Sequence, residues 1–251
     1  GSFSYRKKLS EYYRKNKIDV SPDEILITIG ASEALTFTLN SICDSDDEII
    51  IPEPFYANYN GFASAANVKV VPVISEFNRQ FQLPSLENID KKINSKTKAI
   101  LLCNPSNPTG YVYDKKEIVT LCELALKHKI FLIVDEVYRE FIYTDTKHYS
   151  VIQYSQSKNN SVMIDSVSKR YSLCGARVGC IVTKNNKLMK NLLKFADLRL
   201  SPPTYATIAS EASLDAPDSY LIGVIKKYRK RRGVLIKSLR KIPEVKVSEP
   251  K

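Results

Sequence analysis

Phe131-Leu132-Ile133-Val134-Asp135-Glu136 sets four apolar residues in a row and then two carboxylates. A strand with one wet face alternates apolar and polar residues. An unbroken apolar run of strand length, bounded by polar residues, reads instead as a strand buried on both faces. The acid at its end carries a second message. A carboxylate at the end of a buried strand is costly unless a basic side chain or a cationic ligand meets it. The alternative for Asp135 is a helix N-cap.

Working outward, the same kind of run recurs. Ile25 to Ile29, Glu48 to Ile51, Lys69 to Val73, Ala99 to Cys103, Val162 to Ile164 and Val178 to Val182 all read as short apolar strands. Helical patterns separate several of them, at Ser32 to Ile42, Tyr56 to Ala66 and Lys115 to Lys127. From Lys187 the chain is mainly helical, with a break at Ser201-Pro202-Pro203 and a turn at Ala216-Pro217-Asp218. Buried strands alternating with helices predict an α/β fold: three αβα layers around a mainly parallel sheet. No internal repeat interrupts it. Residues 1–2 resemble a cloning scar and are given no structural meaning. Residues 3–24 form a helical lead-in, residues 25–215 the large domain, and residues 216–251 a long helix leading toward a small, truncated C-terminal domain. Val245-Lys246-Val247 is expected to open a new strand.

Composition narrows the class. The chain has 251 residues, 43% hydrophobic and 26% charged, enough for a sizeable core. No apolar run reaches the roughly 18 residues of a membrane span. Five cysteines lie scattered without a Cys-x-x-Cys pair, and there are two histidines. That pattern predicts free thiols, a cytoplasmic protein and no metal site. The net charge of +11 raises the question of nucleic acid. The densest basic cluster, Lys226 to Arg232, shares a helical pattern with Leu221, Ile225, Leu235 and Leu239, so it reads as the solvated face of an amphipathic helix. No nucleic-acid partner is expected.

In an open α/β sheet, ligands bind beyond the carboxyl ends of the strands. After the first strand comes Gly30-Ala31-Ser32-Glu33, small residues at a helix start, where backbone N–H groups and the helix dipole suit a phosphate. Ser32 with Glu33 also reads as a plain helix opening. After Cys103 comes the stiff turn Asn104-Pro105-Ser106-Asn107-Pro108-Thr109-Gly110, with Asn107 offering an amide. Tyr138, three residues past Asp135, adds a phenol. The sixth run ends in Asp165-Ser166-Val167-Ser168-Lys169, followed by Arg170 and, further on, Arg177. A partly desolvated lysine beside other cations is a usable nucleophile. A surface Lys-Arg pair is the alternative. Together these groups complement pyridoxal phosphate: donors for a phosphate, a carboxylate for a ring cation, a phenol, an amide and a lysine.

The sequence resembles the class I/II aminotransferases of the fold-type I pyridoxal-phosphate enzymes, in the aspartate-aminotransferase-like group. The motifs that carry the likeness are Asn104 to Gly110, Asp135-Glu136-Val137-Tyr138, Ser166-Val167-Ser168-Lys169 and Gly175-Ala176-Arg177-Val178-Gly179. The resemblance implies that Lys169 holds the cofactor as a Schiff base and moves the proton at the substrate carbon. It implies that Asp135 pairs with the ring nitrogen, that Asn107 and Tyr138 bond the ring oxygen, and that Tyr56 stacks on the ring. Ala31, Ser32, Ser166, Ser168 and Arg177 fall in the phosphate and anchoring positions. It also implies amino-acid and 2-oxo-acid substrates, a ping-pong cycle and a homodimer, with Leu200 to Tyr205 approaching the second subunit.

Members of that group are longer. The arginine that binds the substrate carboxylate in them has no counterpart here, so this chain reads as the large-domain part. The same lysine and fold also serve carbon–sulfur β-lyases and cofactor-binding regulatory domains.

Overall fold

The computed structural model describes residues 1–251. Its strands are β1 (Ile25–Thr28), β2 (Glu48–Glu53), β3 (Lys69–Ile74), β4 (Thr97–Cys103), β5 (Phe131–Asp135), β6 (Ser161–Ser166) and β7 (Gly179–Val182). The helices are α1 (Phe3–Lys15), α2 (Gly30–Ile42), α3 (Asn58–Ala65), α4 (Leu86–Asp90), α5 (Lys115–His128), α6 (Val167–Arg170), α7 (Asn186–Arg199), α8 (Thr204–Ser213) and α9 (Asp218–Leu239). The strands form one seven-stranded sheet in the order β1-β7-β6-β5-β4-β2-β3. β7 runs antiparallel to both of its neighbours, and every other pairing is parallel.

The apolar runs divide their residues between two cores, one on each side of the sheet. Leu132, Val134, Ile100, Leu102 and Met163 join the core under α1 and α5. Ile133, Ala99, Leu101, Val162 and Ile164 join the core under α2, α3 and α7. Period-two geometry explains the division, because successive side chains on a strand face opposite sides. Each fully buried aliphatic side chain contributes about 1.5–3 kcal/mol against exposure. The result is the expected three-layer αβα arrangement with a mainly parallel sheet, and all seven apolar runs are strands of it.

Three expectations are corrected. Ser2 has a structural role: its side chain accepts the Tyr5 N–H at 3.4 Å and caps α1, whose Tyr5, Leu9 and Tyr13 are buried in the core. Val245 to Val247 form no strand; the segment runs as coil and pairs with no edge of the sheet. α9 exposes its basic run as expected, but Leu235 on its apolar side is 58% exposed and Ile236 is the one buried residue. The apolar stripe of α9 is therefore only partly covered by this chain.

Candidate active site

The carboxyl ends of β1, β5 and β6 open on one cavity of about 200 Å³. Its walls hold Ala31 and Ser32 from α2, Tyr56, Asn107, Asp135, Tyr138, Ser166, Ser168, Lys169 and Arg177. Every site residue singled out in the sequence thus meets the others in one place. Strand register explains part of this: β4, β5 and β6 are paired so that Cys103 lies beside Asp135 and Asp135 beside Ile164.

Asp135 is 5% exposed. Its Oδ2 accepts the Tyr59 hydroxyl at 3.0 Å and its Oδ1 accepts the Val137 N–H at 3.2 Å. No basic side chain forms an ion pair with it. Burial pushes its carboxyl up to about 6, and the two hydrogen bonds only partly offset that. No helix follows Asp135, so it is not a helix N-cap; its Oδ1 bonds the Val137 N–H in a turn instead.

Tyr138 and Lys169 face each other, with Lys169 Nζ 5.6 Å from the ring centroid. The Asn107 amide lies beside the Tyr138 phenol. The turn that presents Asn107 is pinned by buried Asn104, whose amide accepts the Tyr113 N–H at 3.0 Å and donates to the Tyr113 carbonyl at 3.3 Å. The Asn-Pro turn is thus both a tight connection and a means of display.

The expected desolvation of Lys169 beside Arg170 is not found. Lys169 is exposed at the cavity, while Arg170 points the opposite way and is 1% exposed. One helical turn sends adjacent side chains to different sides, so the two cations do not share a site.

The anion-binding end is built from small residues. Gly30 takes φ +73°, and a Cβ there would meet Arg177 Nη2 at 2.5 Å. Glycine at this position leaves room for the guanidinium over the start of α2. Arg177 makes one hydrogen bond within the protein, from Nη1 to the Cys174 carbonyl at 3.0 Å. α2 starts at Gly30, so Ala31 and Ser32 sit in its first turn, where N–H groups have no intrahelical acceptor. Ser32 is therefore not the cap; Glu33 instead reaches back to the Ile29 N–H at 2.8 Å. Ser166 Oγ accepts the Ser168 N–H at 3.0 Å and lies 2.9 Å from the Val178 carbonyl, which makes it a cap for α6 as well as a cavity residue.

A family model described as aminotransferase class I and II matches residues 1–251. The chain belongs to the class I and II aminotransferases. Among its relatives, the aspartate aminotransferase of Pyrococcus horikoshii is 31% identical over 249 residues, 98% of this chain and 63% of that protein. The (5-formylfuran-3-yl)methyl phosphate transaminase of Methanocaldococcus jannaschii is 32% identical over 240 residues, covering 94% of this chain and 61% of that enzyme. Among solved structures, an alanine aminotransferase from Pyrococcus furiosus superposes with a TM-score of 0.93 at 31% identity, covering 100% of this chain and 65% of that one. The chain thus spans a little under two thirds of the length of these class I and II aminotransferases.

Tyr59 was not anticipated. An aromatic residue at helical spacing reads as core, and Tyr59 does stack on Phe55 at 6.3 Å and lie edge-on to Tyr56 at 5.5 Å. The available signal was its position three residues after Tyr56, on one side of the helix the sequence predicts from Tyr56, although α3 starts only at Asn58. Cys103, the last residue of β4, and Cys174, in the turn between α6 and β7, also line the cavity. All five cysteines are free thiols. No cluster of three or more His, Cys, Asp or Glu side chains is placed to hold a metal ion, and no helix is long and apolar enough to cross a membrane.

Proposed function

We propose that this chain is the cofactor-binding part of a pyridoxal-phosphate-dependent aminotransferase, which moves an amino group between an L-amino acid and a 2-oxo acid in a ping-pong cycle. The observation that carries the reading is Asp135: a buried carboxylate with no cationic side chain on it, in the same cavity as an exposed lysine and an under-used arginine. The donor set fits the cofactor at each end, and the space opened by Gly30 beside Arg177 suits its phosphate.

Pyridoxal phosphate, when bound, supplies an aldehyde that carries the amino group and a ring that withdraws electrons from the substrate α-carbon. Lys169 would hold it covalently through Nζ, and the same Nζ would carry the proton at the substrate α-carbon. Asp135 would accept the ring N–H, which keeps that proton in place at neutral pH. Tyr138 and Asn107 would donate to the ring oxygen, and Tyr56 would cover the ring face. Arg177, Ser168, Ser166 and the first-turn amides at Ala31 and Ser32 would hold the phosphate, the guanidinium by a charged fork.

The relatives named for aspartate, alanine and a furan phosphate differ in substrate, so the amino acid is open to test. Incubation of the full-length protein with pyridoxal phosphate and pairs of amino and 2-oxo acids, aspartate with 2-oxoglutarate first, should give transfer that Lys169→Ala abolishes. Absence of transfer with every pair would contradict the reading. Release of pyruvate and ammonia from a cysteine conjugate without transfer would point to a carbon–sulfur lyase.

The assembly proposed is a homodimer in the cytoplasm. Leu198, Leu200, Tyr205 and Ile208 are exposed in and around the Leu200–Tyr205 segment, an apolar patch of the kind that subunit contacts cover. The dimer is proposed for the full-length protein, whose light scattering should give twice the mass of one subunit. A monomer at micromolar concentration would contradict it.

A further inference from the structure

Behind the cavity, on the α1 side of the sheet, lies a buried group of charges with no place in the site just described. Asp165, Arg139 and Arg170 are 1%, 5% and 1% exposed. Asp165 Oδ1 accepts the Ser166 N–H at 2.7 Å, and Oδ2 accepts Arg170 Nη2 at 2.5 Å. Arg139 Nη2 approaches the same Oδ2 at 3.2 Å. Arg170 Nε donates to Glu140 Oε1 at 2.8 Å. Two tyrosines of α1 complete the group. The Tyr13 hydroxyl donates to Asp165 Oδ2 at 2.8 Å, and Arg170 and Arg139 lie over the rings of Tyr12 and Tyr13 at 4.5 and 5.0 Å.

We infer that the Asp165–Arg170 ion pair is a clasp that sets the position of Lys169, anchored to α1 through Tyr12 and Tyr13. This rests on the function proposed for Lys169. The geometry is direct: Asp165 and Arg170 bracket Ser166, Val167, Ser168 and Lys169, and their bond closes that turn from behind. α6 has four residues, too few to hold a helical turn by backbone bonds alone, so its shape must come from what grips its ends. Ser166 grips one end by accepting the Ser168 N–H. Arg170 grips the other. Because Arg170 also holds Glu140, two residues beyond Tyr138, the clasp ties together the two turns that present Tyr138 and Lys169 to each other. A buried ion pair adds little net stability compared with apolar packing, whereas its directional bonds fix a single arrangement. That suits positioning better than it suits bulk stabilisation. Asp165 and Arg170 are thus positioning residues that act through the backbone of Lys169.

The test is amide hydrogen exchange on the ligand-free protein, which needs no cofactor. Val167, Tyr171 and Ser172 donate backbone bonds in and around this turn, and Ser168 donates to Ser166 Oγ. Arg170→Met should raise exchange at these amides about tenfold while amides of β4 and β5 stay near wild type. Arg170→Lys should restore most of the protection. A second readout is affinity for pyridoxal phosphate, which should fall about tenfold with Arg170→Met and recover with Arg170→Lys. Unchanged exchange in the turn would overturn the inference, as would a rise spread evenly through the sheet. If Arg170→Met does not fold, Tyr13→Phe removes one hydroxyl and no charge; it should raise exchange in the same turn by about threefold, and no local rise would overturn the inference. Failure of wild-type protein to bind pyridoxal phosphate counts against the proposed function and not against the clasp, which the ligand-free exchange decides separately.

Discussion

The Tyr59 hydroxyl of α3 donates to Asp135 Oδ2 across 3.0 Å, so the acid at the end of β5 is aimed from a neighbouring helix. Tyr59 is 1% exposed and its ring is packed on Phe55 and Tyr56. Ring packing and hydroxyl function can therefore be separated by one substitution. Tyr59→Phe keeps the packing and removes one of the two donors to the carboxylate. A hydrogen bond to a charged group contributes about 1.5–3 kcal/mol to the fold that makes it, so the ligand-free variant should melt at a lower temperature above pH 6, and cofactor affinity should fall as well. Titration of the variant with pyridoxal phosphate, followed by absorbance, checks this.

Asp135→Asn separates stability from binding. Burial lifts the Asp135 carboxyl to about 6 from an ordinary value of 3.8. Because the folded-state value is the higher, this group favours the fold fully below pH 4, and that contribution is lost as pH rises through 6. At pH 8 the ionised group costs the ligand-free fold up to about 3 kcal/mol. Asp135→Asn should therefore be more stable than wild type at pH 8, with the difference shrinking toward pH 4. Denaturant unfolding of both proteins between those values measures it. Added pyridoxal phosphate should reverse the order at pH 8, since its ring cation favours the carboxylate in the wild type only.

Gly30→Ala tests the anion-binding end. Alanine at φ +73° is strained by about 1–2 kcal/mol, and its methyl group would displace Arg177 Nη2. The variant should unfold at lower denaturant and bind pyridoxal phosphate more weakly, while its affinity for phosphate-free pyridoxal changes little. Equal losses for the two ligands would place the effect elsewhere in the cavity.

Most of the sheet was legible because apolar strand runs leave few alternatives, and the cavity was legible because strand ends gather in one place. The misses share a cause: they depend on where a side chain points or what pairs with it. Val245 to Val247 has strand-like residues and no ladder partner. Tyr59 reads as core and is core, with a functional hydroxyl. Lys169 and Arg170 are adjacent in sequence, yet one faces the cavity and the other is sealed against Asp165. No periodicity encodes that choice; it depends on α1 arriving from far along the chain with Tyr12 and Tyr13.

The most direct measurement is borohydride reduction of the protein mixed with pyridoxal phosphate, followed by peptide mass analysis. The expected result is one reduced adduct on Lys169, an absorbance band near the visible edge that reduction removes, and loss of both in Lys169→Ala. An adduct spread over surface lysines such as Lys226 and Lys227, or a band that persists in Lys169→Ala, would contradict it.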